Sequence, residues 1–299
     1  MNKEQMIQLM TETITKFTGY MGKRLPDDVM AKLRELREQE DTYLAKVVYD
    51  SMFENQELAD KLDRPCCQDT GVIQYFVKAG AEFPLLSEVQ EILRNAVLEA
   101  TKVAPLRHNA VEIFKEKNTG TNTGERVPIV NWEIVPHSKS IEIEVYMAGG
   151  GCSLPGQGKT LMPGEGYEGV VKYVFDVMTS YGVNACPPIL VGIGIAGSIE
   201  VAATLSKKAL FRPIGSRHHD PQGAQMELLI EKGLNDIGLG PQGLSGKNSV
   251  TGVHIESAAR HPSTISVAIS TGCWAHRRGT IRINEDMSYE IISHKGVSL

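Results

Sequence analysis

Apolar residues in this chain switch period repeatedly, and that alternation limits the folds open to it more than any other feature. Met6, Leu9, Met10, Ile14 and Phe17 recur at helical spacing over residues 2–20. Pro26-Asp27-Asp28 opens a second helix that runs to 38, and Asp41 or Thr42 caps a third that runs to about 62. Ile141, Ile143, Val145 and Met147 then alternate with Glu142, Glu144 and Tyr146, which is the signature of a half-buried strand. Further strands are predicted at 72–78, 189–195, 252–256, 265–270, 280–283 and 289–293. Helices are predicted at 84–103, 166–181, 198–210 and 222–237, the last ended by Gly238-Leu239-Gly240-Pro241. Interleaved helices and strands imply an α/β class with mixed sheets flanked by helices, behind a helical N-terminal third. No repeat and no dividing linker is visible, so residues 1–299 read as one domain.

Charge narrows the partners. The formal net charge is −5 with no basic tract, which argues against nucleic acid and against an anionic membrane. No apolar run approaches the roughly 20 residues of a membrane span, and the first residues lack a signal-peptide core. A cytoplasmic protein is expected. Its five cysteines are odd in number and follow no secretory signal, so a disulfide framework is not expected. They are core thiols, nucleophiles or metal ligands.

Two motifs point elsewhere and are weak. Gly192-Ile193-Gly194-Ile195-Ala196-Gly197 fits the dinucleotide fingerprint between a strand and a helix, and would make the chain an NAD-dependent oxidoreductase. The acid some 20 residues on would be Asp220, which sits in a turn; close packing of a Gly-rich strand against a helix is the simpler reading. Gly158-Lys159-Thr160 ends like a phosphate-binding loop, but Ser153 stands where the loop's first glycine belongs. Eight histidines fall in no zinc-binding spacing.

The cysteines lie where sites are built. Arg64-Pro65-Cys66-Cys67-Gln68-Asp69-Thr70-Gly71 packs thiols, an amide and a carboxylate into one loop. Cys186 precedes a strand in Asn184-Ala185-Cys186-Pro187-Pro188, and Cys273 follows one in Ser270-Thr271-Gly272-Cys273-Trp274. Three separated loop thiols suit a [4Fe–4S] cluster with one iron open to substrate. Core thiols or a single nucleophile remain open alternatives. Arg107-His108-Asn109, Arg260-His261 and His276-Arg277-Arg278 offer cations for an anion, and Gly149-Gly150-Gly151 lets backbone N–H groups approach one.

Taken in order, several segments resemble the iron–sulfur class I fumarase and tartrate dehydratase family along the whole chain. They are Cys67-Gln68-Asp69-Thr70-Gly71, Ala104-Pro105-Leu106-Arg107-His108-Asn109, Met147-Ala148-Gly149-Gly150-Gly151, Asn184-Ala185-Cys186-Pro187-Pro188, Gly238-Leu239-Gly240-Pro241-Gln242-Gly243 and Arg260-His261-Pro262. Residues 149–156 and 270–279 look like the tartrate dehydratase branch. The resemblance implies the fold of the class I fumarase N-terminal catalytic domain. It also implies a [4Fe–4S] cluster on Cys67, Cys186 and Cys273, with Cys66 and Cys152 outside it. Gln68, Arg107 and a backbone group at Gly150 would face a dicarboxylate 2-hydroxy acid. Asp69 would be catalytic, with His261 as its candidate partner. The implied reaction is dehydration of L(+)-tartrate to oxaloacetate, with malate and fumarate as the alternative pair. One-chain fumarases carry a second domain beyond this point. Its role is expected to fall to a separate beta subunit in an α2β2 assembly, so that this chain alone holds the cluster but is catalytically incomplete.

Overall fold

The N-terminal segment nucleates its helix where the sequence places a cap. In the computed structural model, which describes residues 1–299, the Asn2 side chain accepts from Gln5 N–H while the Gln5 side chain accepts from Asn2 N–H. Helix α1 (Lys3–Lys23) starts there. In chain order there follow α2 (Asp27–Gln39), α3 (Tyr43–Leu62), β1 (Val72–Gly80), α4 (Val89–Val103), β2 (Val111–Glu112), β3 (Lys117–Asn118), β4 (Ile129–Val135) and β5 (Ile141–Ala148). Next come α5 (Gly150–Ser153), β6 (Gln157–Leu161), α6 (Gly166–Tyr181), β7 (Ile189–Ala196), α7 (Ile199–Ala209) and α8 (Pro221–Asp236). The chain ends with β8 (Val250–Ser257), β9 (Ile265–Gly272), β10 (Arg277–Ile283) and β11 (Tyr289–Ile291). The mixed α/β class and the helical first third stand as expected.

These elements divide between two units, each assembled from separated segments. The first comprises Met1–Asp27, Glu54–Gly149 and Arg277–Leu299; the second comprises Asp28–Phe53 and Gly150–His276. One crossing falls inside α3, another between two consecutive glycines. A division made this way leaves no linker in the sequence.

The first unit is a five-stranded sheet in the order β11-β10-β5-β1-β4. β4 runs parallel to β1, and the other pairs are antiparallel. Alternation on β1 and β5 buries Ile73, Tyr75, Val77, Ile141, Ile143 and Val145 with Met10, Ile14, Phe17 and Met21 of α1 and Ile92, Leu93, Ala96 and Val97 of α4. Each buried Val, Leu, Ile, Phe or Met side chain among them contributes about 1.5–3 kcal/mol by leaving water. The helix expected from 84 begins only at Val89. Leu85 is buried, but it stands in the turn whose carbonyl accepts from Glu88 and Val89. β4 escapes prediction because it is an edge strand that leaves Ile129, Trp132 and Ile134 exposed, so no alternation marks it.

The second unit centres on a four-stranded sheet in the order β6-β9-β7-β8. β7 is buried along its full length, as a near-continuous apolar run predicts. Gly192 and Gly194 lie inside this strand, not in a turn after it. A Cβ on Gly194 would stand 1.9 Å from the Ala202 carbonyl oxygen, and one on Gly192 would stand 2.2 Å from that of Ser206. The glycines therefore let α7 lie directly on the strand, which is the packing reading and not the dinucleotide one. Gly158, Lys159 and Thr160 pair with Ala268, Val267 and Ser266, so the loop-like triplet belongs to a strand the sequence did not reveal. The buried Glu227 of α8 accepts from Ile255 N–H at 2.7 Å, from His218 N–H at 2.9 Å and from the Arg212 guanidinium at 2.8 Å, which ties the helix to β8.

Candidate active site

In the first unit, the polar loop ahead of β1 meets the end of β5 and the start of β10. Gly71 makes the turn at φ 74°, and a Cβ there would run into the Ala148 backbone, with its oxygen 1.9 Å away. This close approach puts Asp69 against the chain at Gly149, whose Cβ position lies 2.5 Å from the Asp69 Oδ2. The other carboxylate oxygen, Oδ1, accepts from the Asn109 amide at 2.5 Å and from Gly71 N–H at 3.0 Å. Arg277, 1% exposed, donates from Nη2 to the Asp69 carbonyl at 2.6 Å. Gln68 and Arg107 are exposed beside these anchored residues in sequence, with Gln68 Oε1 3.7 Å from the Cys67 sulfur.

The same loop separates its two thiols. Cys66 is buried, its N–H donates to Gly22 and its carbonyl accepts from the Asn55 amide. Cys67 is only half-buried. A side chain turned into the core packs as a small hydrophobe; its neighbour remains accessible to chemistry.

In the second unit, one end of the sheet carries the other cysteines. β9 runs antiparallel to β7, so Cys273 after β9 and Cys186 before β7 stand at the same end, joined by the Trp274 N–H donating to the Cys186 carbonyl at 3.2 Å. Cys186 is exposed and adopts φ 54°, ψ 72°. Gln242 braces this loop from the Gly240–Gly243 segment, donating from N–H (2.8 Å) and from its amide (3.2 Å) to the Pro187 carbonyl. Gly151 closes on the same end, where a Cβ would stand 2.3 Å from the Asn184 carbonyl oxygen. The exposed Gly150 is its neighbour. Cys152 is buried, its carbonyl accepting from the Thr271 hydroxyl. Burial pushes the Lys207 ammonium below the ordinary lysine range, and the Cys152 thiol acts in the opposite direction. The cysteines are not joined in disulfides.

His261 falls elsewhere. It follows β8, at the end where Ala258 N–H donates to the Ile195 carbonyl and Thr264 Oγ1 donates to Gly197. The seven residues from Leu190 to Ala196 that pair β7 with β9 separate the two ends by about 20 Å at ~3.3 Å per residue. His261 therefore does not share an end of the sheet with Cys186 and Cys273. The basic clusters also differ from the anion-binding surface expected of them. His276, Arg277 and Arg278 are buried, with His276 bonded to the Leu210 carbonyl, and Arg260 caps its own loop on the carbonyls of His261, Pro262 and Thr264. Sequence reasoning did not single out Asn109, Gly149 or Arg277 as Asp69's partners. An Arg-His-Asn triplet after a helix gives no sign that its last amide is aimed at a carboxylate forty residues earlier.

The Asp69 carboxylate, the Asn109 amide, the Arg277 guanidinium and the close-lying Gly149 thus gather at one corner of the first unit, two residues from the Cys67 thiol. The chain belongs to the fumarate hydratase (Fumerase) family, whose model matches residues 11–282, and is a hydro-lyase. It is 60% identical over 293 residues to the L(+)-tartrate dehydratase subunit alpha of Escherichia coli strain K12, covering 98% of this chain and 97% of that one. The subunit of the same name from Shigella sonnei matches equally. A putative L(+)-tartrate dehydratase subunit alpha from Methanocaldococcus jannaschii is 37% identical over 266 residues, 88% of this chain and 93% of that one. No helix is long and apolar enough to cross a membrane.

Proposed function

We propose that the chain is the alpha subunit of a [4Fe–4S] hydro-lyase that dehydrates L(+)-tartrate to oxaloacetate together with a beta subunit, in an α2β2 cytoplasmic assembly. The observation that carries this reading is the anchored Asp69 carboxylate two residues from Cys67. The names borne by the 60% identical relatives support the substrate and the existence of a partner subunit.

The donor set fits a cluster. Cys67, Cys186 and Cys273 lie outside disulfides in loops at strand ends, and none is closed into the core as Cys66 and Cys152 are. No three His, Cys, Asp or Glu side chains form a group able to hold a single metal ion. A four-iron cube takes one thiolate per iron, and so asks for them farther apart than one ion does.

Bound, a cluster with one iron lacking a protein ligand supplies a Lewis acid for the departing hydroxyl. The chain's own groups do the rest. Arg107 pairs with a substrate carboxylate through its planar fork, which fixes both position and orientation. The Gln68 amide and the Gly150 backbone N–H hold further substrate oxygens. Asp69 moves a proton at or near the leaving group. Loss of water from tartrate leaves an enol that tautomerises to oxaloacetate. The same steps on malate give fumarate, a second reading favoured by the fumarate hydratase description of the matching family.

The test is a competition of L(+)-tartrate, D-tartrate and malate on the complex reconstituted without oxygen. Preference for L(+)-tartrate by kcat/KM supports the proposal; preference for malate replaces it with a two-subunit fumarase.

A further inference from the structure

A line of hydrogen bonds runs from the last turns of α4 to the Asp69 carboxylate. The Thr101 hydroxyl donates to the Val97 carbonyl at 2.7 Å. The Asn122 amide nitrogen donates to Thr101 Oγ1 at 3.1 Å, while its amide oxygen accepts from Asn109 N–H at 2.9 Å. Asn109 then donates from Nδ2 to Asp69 Oδ1 at 2.5 Å. Thr101 and Asn122 are 5% and 2% exposed, so neither exchanges these bonds for water.

The direction of the line is fixed by chemistry. Thr101 spends its one proton on Val97, so its oxygen is left as an acceptor and Asn122 must present its nitrogen there. That orientation leaves the Asn122 oxygen, and only the oxygen, for Asn109 N–H. The loop 107–109 is thereby registered to α4 by its backbone, and the Asn109 side chain carries that register to the carboxylate. Gly71 N–H completes the grip on the same oxygen.

We infer that Asn122 and Asn109 are positioning residues that hold Asp69 in its working orientation, Asn122 acting through Asn109. The inference rests on the reading of Asp69 as the proton-moving group of the hydro-lyase. Neither asparagine is assigned contact with substrate. A rigid helix end thus sets the geometry of a loop carboxylate, the kind of support that keeps a catalytic group within a fraction of an ångström of its productive place.

Kinetics of the reconstituted complex test this. Asn109→Ala is expected to lower kcat on the order of 100-fold, the cost of roughly 1 Å of misplacement, with KM, iron content and melting temperature unchanged. Asn122→Ala is expected to lower kcat less, and to add nothing in the Asn109→Ala background, because it acts through that residue. If Asn109→Ala fails to fold, Asn109→Asp serves in its place; a second carboxylate facing Asp69 is expected to lower kcat at least as far. Wild-type kcat in the Asn109 variant, a change in KM alone, or full additivity of the two substitutions overturns the inference. Asp69→Asn separates the two levels of the argument. If it retains full turnover, the underlying reading of Asp69 is wrong; if it loses turnover while the asparagine variants keep theirs, only the positioning relay is wrong.

Discussion

Gly149→Ala adds a single methyl group and aims it at the Asp69 carboxylate, the proposed catalytic group. The new Cβ would lie 2.5 Å from Asp69 Oδ2 and 2.7 Å from its Cγ, where ordinary contact begins at 3.4 Å. Asp69 would have to retreat by about 0.9 Å. A flexible side chain does so at little cost, but this one is held on Oδ1 by Asn109 and Gly71 and at its carbonyl by Arg277. Gly149 itself has no left-handed φ, so alanine brings no backbone strain and the clash is the whole perturbation. Displacing a catalytic group by about 1 Å costs on the order of 100-fold in rate, or roughly 2.7 kcal/mol of barrier. The expected result in a steady-state assay of the reconstituted complex is a kcat lowered by about that factor, with iron and sulfide content unchanged. A Gly149→Ala enzyme with wild-type kcat would refute the placement of Asp69 in the chemistry.

Other consequences follow from the same geometry. Cys186→Ser and Cys273→Ser are expected to lose iron and sulfide and the visible absorption of the cluster, whereas Cys66→Ser keeps them; analysis of anaerobically purified protein decides, and dependence on Cys66 instead of Cys67 would reverse the ligand assignment. Gly194→Ala, which would put a methyl group 1.9 Å from the Ala202 oxygen, is expected to destabilise the second unit by about 1–3 kcal/mol or more, seen as a lower denaturation midpoint, while NAD gives no protection to either protein. Glu40, 2% exposed, accepts from the backbone N–H groups of Asp41, Thr42 and Lys247. Burial alone would raise its carboxyl, but the donors on Thr42, Lys247 and Asp41 outweigh it and leave the group below the ordinary carboxylate range. A depressed value adds stability above the unfolded carboxylate range and loses it as pH falls. Glu40→Gln should therefore unfold about 1–3 kcal/mol more easily than the wild type at neutral pH, with the gap in melting temperature closing in acid; a gap independent of pH would contradict the charge-based account.

Periodicity carried most of the fold into view because burial acts on it directly. The alternation of β5 and the helical stripe of α1 are both consequences of facing the same core, and both stand where they were expected. Elements that do not obey a core are the ones the sequence hides. β4 lies at a sheet edge with apolar residues on view, and β6 is short and polar enough to imitate a phosphate loop. The glycines of β7 show the converse, since a pattern shared with cofactor sites arises here from a helix pressed on a strand. At the candidate site, residue types pointed to the candidates, but only the fold shows how those within each unit are arranged. The loop holding Cys67 and Asp69 was conspicuous for its chemistry; that Asn109 and a buried Arg277 grip Asp69 depends on contacts 40 and 208 residues apart in sequence. His261 illustrates the limit: the family resemblance implies a partnership with Asp69, and the sequence gives no hint that strand direction puts this histidine at the opposite end of its sheet from Cys186.

The claim at the centre of this account is that the chain's thiols and its anchored carboxylate together dehydrate a hydroxy acid. Oxaloacetate formation from L(+)-tartrate by the complex with its beta subunit, assayed without oxygen before and after removal of iron and again after cluster reconstitution, measures it most directly. The account predicts turnover that disappears with the iron and returns with the cluster, and that neither subunit shows alone. Undiminished turnover by cluster-free protein would contradict it.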